Sequence, residues 1–164
     1  MRIVLFAAFA ARAVDVLAIA TFTGMFACVL GQVFLRYFLG DPTTWSDELA
    51  RYLFVWCAFL GWVIAARRRS HLAIASLPQR ASPRVRAVLE LAAAAAAFAF
   101  AAILVFYGTR IALRNFDVGT TALFFTMGVV YAIVPFAALA VGLHALADAG
   151  AALASLRAPL SPPR

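Results

Sequence analysis

Apolar and polar positions along this chain sort into four long hydrophobic stretches separated by short charged segments. The first covers residues 16–35, with Asp15 before it and Arg36 after it. The second covers 49–66 and is closed by Arg67, Arg68 and Arg69; the third covers 87–107; the fourth covers 122–147 and ends near Asp148. At a rise of about 1.5 Å per residue, each is long enough as a helix to cross ~30 Å of hydrocarbon. None alternates with a period of two, which removes a β-barrel. Helices satisfy every backbone group within the span, as lipid requires. The pattern predicts an all-α integral membrane protein with four transmembrane helices. They form a single membrane domain over residues 1–156, followed by a disordered tail, 157–164, that carries three prolines.

Composition strengthens this reading. The chain has 164 residues, of which 66% are hydrophobic, with a mean hydropathy of +0.96. Soluble domains hold roughly 45–50% apolar residues, and a soluble chain this small has too little interior to hide the excess. The net charge is +7, from fourteen arginines, no lysine and seven acids. In a soluble protein such a charge would point to nucleic acid. Here the arginines lie between the apolar runs, where lipid headgroups and membrane topology account for them, so nucleic acid is not an expected partner.

With four spans, one side of the membrane holds Arg2, Arg12, Arg67, Arg68, Arg69, Arg80, Arg84, Arg86, Arg157 and Arg164. The other holds Arg36, Arg51, Arg110 and Arg114, offset by Asp41, Asp47, Glu48 and Asp117. The positive-inside rule therefore predicts that both termini are cytoplasmic. Between spans two and three, Leu72, Ala73, Ile74, Ala75 and Leu77, closed by Pro78, predict a short interfacial segment in the cytoplasmic headgroup layer. Residues 1–13 predict a short interfacial helix leading into span one rather than a cleaved leader.

Candidate chemistry concentrates in residues 31–71. Gly40, Asp41 and Pro42 predict a tight turn, and Thr43 or Thr44 offers an N-cap hydroxyl. Asp47 and Glu48 fall early in span two, and Arg51 shares their helix face. Trp45 suits the membrane–water boundary. Together with Arg36 these residues predict a charged cluster at the outer surface. Two readings stand: the charges pair across the hairpin and pin helices one and two, or some of them dock a partner protein. Glu90 is the one acid inside span three; it either pairs with Arg86 four residues earlier or serves as a coupling carboxylate. The six alanines at 92–97 predict close helix packing. Pro135, in the middle of span four, predicts a kink. Cys28 and Cys57 lie in different spans with no metal-ligand spacing. There is no P-loop, HExxH or GxSxG, so no catalytic residue, metal site or cofactor is expected and the chain is not expected to be an enzyme.

The ordered set from residue 36 to 71 resembles the small membrane subunit, the DctQ type, of tripartite ATP-independent periplasmic (TRAP) transporters. The resemblance rests on Arg36 and Tyr37 ending the first span, and on Trp45, Glu48 and Arg51 opening the second. Gly61 within span two, a basic stretch ending at His71, and Pro135 in span four extend it. It implies a bacterial inner-membrane, multi-pass subunit. Its partners would be a large multi-span permease, a periplasmic solute-binding protein and membrane lipid. It further implies import of organic acids driven by an ion gradient, commonly sodium, with no substrate site in the small subunit. Arg36, Trp45, Asp47, Glu48, Arg51, Gly61 and His71 are then partner-interface or hairpin-stabilising residues. The alternative is a self-sufficient small proton-coupled antiporter or channel, with Glu90 as coupling acid.

Overall fold

A computed structural model of the chain describes residues 2–40, 43–68 and 83–157. Helix α1 (Arg2–Phe34) runs into a π-helical turn (Leu35–Leu39); α2 (Thr44–Arg67), α3 (Pro83–Arg114), α4 (Met127–Tyr131) and α5 (Ile133–Arg157) follow. Four stretches are long and apolar enough to cross a membrane: Ala8–Leu39, Thr44–Arg67, Arg84–Arg114 and Met127–Arg157. The chain is thus an all-α, four-span membrane protein, with α4 and α5 together forming the fourth span. Among the described residues the only β feature is an isolated antiparallel bridge between Gly119 and Thr126. His71 and the segment expected at 72–78 lie outside the described residues, as does the expected tail at 157–164 except for Arg157, which ends α5.

Three boundaries differ from the sequence reading. Residues before 13 do not form a separate helix, because α1 is continuous from Arg2. Span four begins at Met127 rather than Ala122. Residues 121–125 are a bend, although 122–125 read Ala-Leu-Phe-Phe; their backbone groups are taken by partners other than helix carbonyls. Pro135 lies in the first third of span four rather than its middle, three residues into α5. The helix is interrupted just before it, at Ala132, whose N–H still donates to Gly128 O at 2.9 Å while the bond from Phe136 N to Ala132 O is long, 3.5 Å. The ring removes the donor that Tyr131 would otherwise receive.

The helices stand in a row. α1 packs on α2, α2 on α5, and α5 on α3, while the remaining helix pairs meet little. Span four is accordingly the most buried and span one the least. A small cluster of Val63, Ala66, Ala137 and Val141, flanked by Phe59 and Trp62, joins α2 to α5, and Val14 of α1 reaches it. The tightest seam is between α3 and α5. On α3, Ala87, Ala94 and Ala101 are buried at seven-residue intervals, and Gly108 continues the series. On α5, Ala138, Ala145 and Ala152 are buried at the same spacing. A repeat of seven keeps small residues on one seam of two antiparallel helices. In lipid such packing rests on close contact rather than on exclusion of water. A Cβ added to Gly108 would sit 2.9 Å from Val134 Cγ1 and 3.2 Å from Pro135 Cδ, so glycine is what lets α3 pass the kink. Of the six alanines at 92–97, Ala94 alone is fully buried in this seam.

Candidate functional site

Glu48 organises the turn end of α2. It lies one turn into the helix, and its carboxylate accepts three hydrogen bonds: from Tyr52 Oη (2.5 Å), Thr121 N (3.0 Å) and Ala122 N (2.7 Å). The two amides belong to the bend between α3 and α4, so one side chain ties span two to the connection between spans three and four. Tyr52 is placed for this by its i+4 position. Its hydroxyl also lies 3.4 Å from Met127 Sδ, and its ring meets Phe125 edge-on at 6.0 Å. The bend is internally bonded as well. Thr120 Oγ1 donates to the carbonyls of Leu123 and Phe125, Met127 N donates to Val118 O, and Gly128 N donates to Asn115 O. The loop thereby holds Phe124 at 99% exposure.

The other charges of the cluster are arranged differently. Arg51 pairs with Asp47 at 2.9 Å, one turn away on the same helix, with both side chains largely exposed. Among the described residues no ion pair joins Arg36 to α2. Among the described residues Arg36, Asp47 and Arg51 form no ion pair across the hairpin, the first of the two expected roles; Glu48 does link elements, but it ties span two to the connection between spans three and four rather than to span one. Thr43 occupies the N-cap position of α2, yet its hydroxyl contacts Ser46 Oγ at 2.6 Å instead of a backbone amide. Trp45 is about half exposed beside them.

Helices one and two are pinned at their opposite end by a pair that the sequence reading did not match up. Arg67 Nη2 donates to Asp15 Oδ1 at 2.5 Å, and Nη1 donates to Ala11 O at 3.0 Å. Both side chains are partly buried. The available signal was that two opposite charges close consecutive spans on one side of the membrane, where unpaired charge is costly.

Three surface features at this site are left uncovered by the described residues. One is a stripe on α2: Asp47, Arg51, Phe54, Ala58 and Gly61 are exposed at helical spacing, and a Cβ added at Gly61 would meet nothing within 4 Å. The second is the loop tip at Phe124. The third is a shallow groove of ≈ 200 Å³ lined by Gln32, Val33, Arg36, Tyr37, Thr43 and Asp47. Glu90, by contrast, is paired with Arg86 at 2.8 Å. Cys28 and Cys57 are free, half-buried thiols. Among the described residues no group of three His, Cys, Asp or Glu side chains is placed to hold a metal ion.

Comparison with known proteins gives a consistent result. The family model for the DctQ component of tripartite ATP-independent periplasmic transporters matches residues 25–154. The sialic acid TRAP transporter small permease protein SiaQ of Vibrio cholerae is 29% identical over 101 residues, 62% of this chain and 58% of that protein. A putative TRAP transporter small permease protein of Haemophilus influenzae is 33% identical over 79 residues, 48% of this chain and 49% of that one. The sialic acid TRAP transporter permease protein SiaT of Haemophilus influenzae is 32% identical over 65 residues, 40% of this chain but 11% of that protein. The match thus spans about half the length of the two small permease relatives.

Proposed function

The chain belongs to the DctQ component family of tripartite ATP-independent periplasmic transporters, and from that premise we propose that it braces a large permease subunit in a bacterial inner membrane, with both termini cytoplasmic. It is a small permease subunit of a transporter, not an enzyme. In this reading the large multi-span subunit carries the substrate. A periplasmic binding protein delivers an organic acid, and an ion gradient drives the uptake. The observation that supports bracing over conduction is the row of helices. A single row of helices encloses no channel among the described residues; the Asp47–Arg51 and Arg86–Glu90 pairs lie near the starts of their helices, and Asp15–Arg67 joins the last turn of α2 to α1 toward one face of the layer. Intramembrane transport relays place their ionisable groups deep in the protein. Glu90, already engaged with Arg86, gives the antiporter alternative no support.

The exposed stripe of α2 suits the partner face. Its small centre at Ala58 and Gly61 admits a close helix, and the Asp47–Arg51 pair and Trp45 lie at its end. That the SiaT permease protein contains a stretch similar to this chain within a much longer polypeptide supports a large-subunit partner. The test is co-expression of the chain with a large TRAP permease subunit, followed by affinity purification and reconstitution into liposomes. The expected result is a stable complex, with solute uptake only when both subunits and the binding protein are present. Substrate flux through this chain alone would overturn the reading.

A further inference from the structure

We propose that the groove at the turn end of the α1–α2 hairpin seats the phosphate headgroup of a membrane phospholipid, with Arg36 as its cation and Gln32 as a second donor. The local backbone prepares the site. Over Leu35–Leu39 the helix widens into a π turn, and Gly40 (φ 69°) closes it with its N–H on the carbonyl of Leu35. Single π turns recur where a helix must re-aim side chains for a ligand. Gln32 and Arg36 stand four residues apart, so both reach the same groove, which Val33, Tyr37, Thr43 and Asp47 complete.

Arg36 is one of several described arginines without a carboxylate partner, and it is the one that lines this groove. Among the described residues, Arg51, Arg67 and Arg86 each have a carboxylate within 2.9 Å, and Arg110 lies over the ring of Phe106. Arg36 has none of these. The one described carboxylate on the rim, Asp47, is already held by Arg51 at 2.9 Å. Thr43 is committed to Ser46. The half-buried Gln32 amide has no hydrogen-bond partner among the described residues and lies about 6 Å deeper than Arg36 along the helix, where an unpaired amide is costly. A guanidinium fork with an amide one turn below it can bind a tetrahedral phosphate through several charge-assisted bonds.

The walls decide between a lipid and a free anion. Val33 and Tyr37, the apolar and aromatic walls of the groove, are substantially exposed, as are their chain neighbours Phe34, Phe38 and Leu39. An anion arriving with acyl chains covers that apolar surface, whereas inorganic phosphate leaves it bare. The groove volume of ≈ 200 Å³ fits a phosphate and its glycerol, with the chains lying along α1 outside it. The inference requires only that the hairpin stands in a bilayer. It does not depend on the bracing role, so failure of one leaves the other intact.

Native mass spectrometry of the purified full chain, titrated with phosphatidylglycerol, tests it. The expected result is one saturable lipid per chain that Arg36→Ala weakens about tenfold or more, the scale of a lost charge-assisted hydrogen bond. Arg36→Lys should retain part of the affinity, Gln32→Leu should lose several-fold, and Arg110→Ala should match wild type. Thermal melting confirms that each variant is folded, and Gln32→Leu, which adds no charge defect, keeps the test valid if Arg36→Ala is not. Lipid binding unchanged in both Arg36→Ala and Gln32→Leu would overturn the proposal. So would competition by inorganic phosphate at concentrations equal to the lipid, which would assign the groove to a free anion. Loss of the co-purifying large subunit in Arg36→Ala with lipid binding intact would also overturn it, and would assign Arg36 to a protein contact.

Discussion

Gly128→Ala isolates the contact that seats the connection between spans three and four. A Cβ at this position would lie 2.8 Å from Phe116 Cα, 2.8 Å from Phe116 Cδ2 and 2.9 Å from Phe116 Cγ. Carbon atoms pack best at about 3.5–4.0 Å, so the new methyl would overlap all three atoms. A ring can rotate away, but Cα belongs to the main chain. That main chain is fixed on either side, because Gly128 N donates to Asn115 O at 2.9 Å and Met127 N to Val118 O at 2.9 Å. Overpacking of this kind costs about 1–3 kcal/mol. Alanine regains at most about 1 kcal/mol of helix propensity, and less at the second residue of α4. The net loss is therefore about 1–2 kcal/mol. At about 2–4 °C per kcal/mol for a chain of this size, the melting temperature should fall by about 2–8 °C. Thermal unfolding of the purified chain in detergent, followed by tryptophan fluorescence, reads this directly. Gly61→Ala is the control, since its methyl meets nothing within 4 Å. A Gly128→Ala variant melting at or above wild type would refute the argument.

Other outcomes follow from the same geometry. Gly61→Leu should leave the isolated chain's melting temperature within about 2 °C of wild type, yet reduce co-purification of the large permease; normal complex yield would remove the α2 stripe as the partner face. Glu48→Ala should release the amides of Thr121 and Ala122, read as faster hydrogen exchange at those two positions, with amides in the α3–α5 seam unchanged. Asp15→Asn should destabilise the hairpin, and the reciprocal exchange Asp15→Arg with Arg67→Asp should recover most of the loss in thermal melting. If the exchange melts no higher than either single charge reversal, the two groups do not act as a pair. Cysteines introduced near Arg157 should react with an impermeant maleimide only after the inner membrane is opened; labelling in intact spheroplasts would invert the proposed orientation.

Hydropathy alone was enough to find the four spans, because any helix in lipid must be apolar for about twenty residues whatever it packs against. The Arg86–Glu90 pair was legible for a similar reason: four-residue spacing on a helix makes neighbours without help from the fold. Legibility ended where a residue's partner lay in another helix. The apolar residues 122–125 read as span because their composition suits lipid, but Glu48 and Thr120 take up groups in the bend that a helix would have used. Glu48 was singled out for its charge, and two of its three partners lie more than seventy positions away. The alanine run at 92–97 signalled close packing correctly, while the seam that performs it uses one alanine in seven along α3. The π turn at Leu35–Leu39 has no signature in the pattern of apolar residues at all.

The position of α3 at the end of the row constrains how the protein is made. During synthesis α1 and α2 can close their hairpin as soon as Arg67 clears the translocon, since each is the other's neighbour. α3 emerges next with its alanine seam uncovered, and its main neighbour, α5, comes from the last stretch of the described chain to be translated. A nascent product halted before Ile133 would leave that seam open to any passing helix. Commitment to the native arrangement is deferred until α5 enters the bilayer.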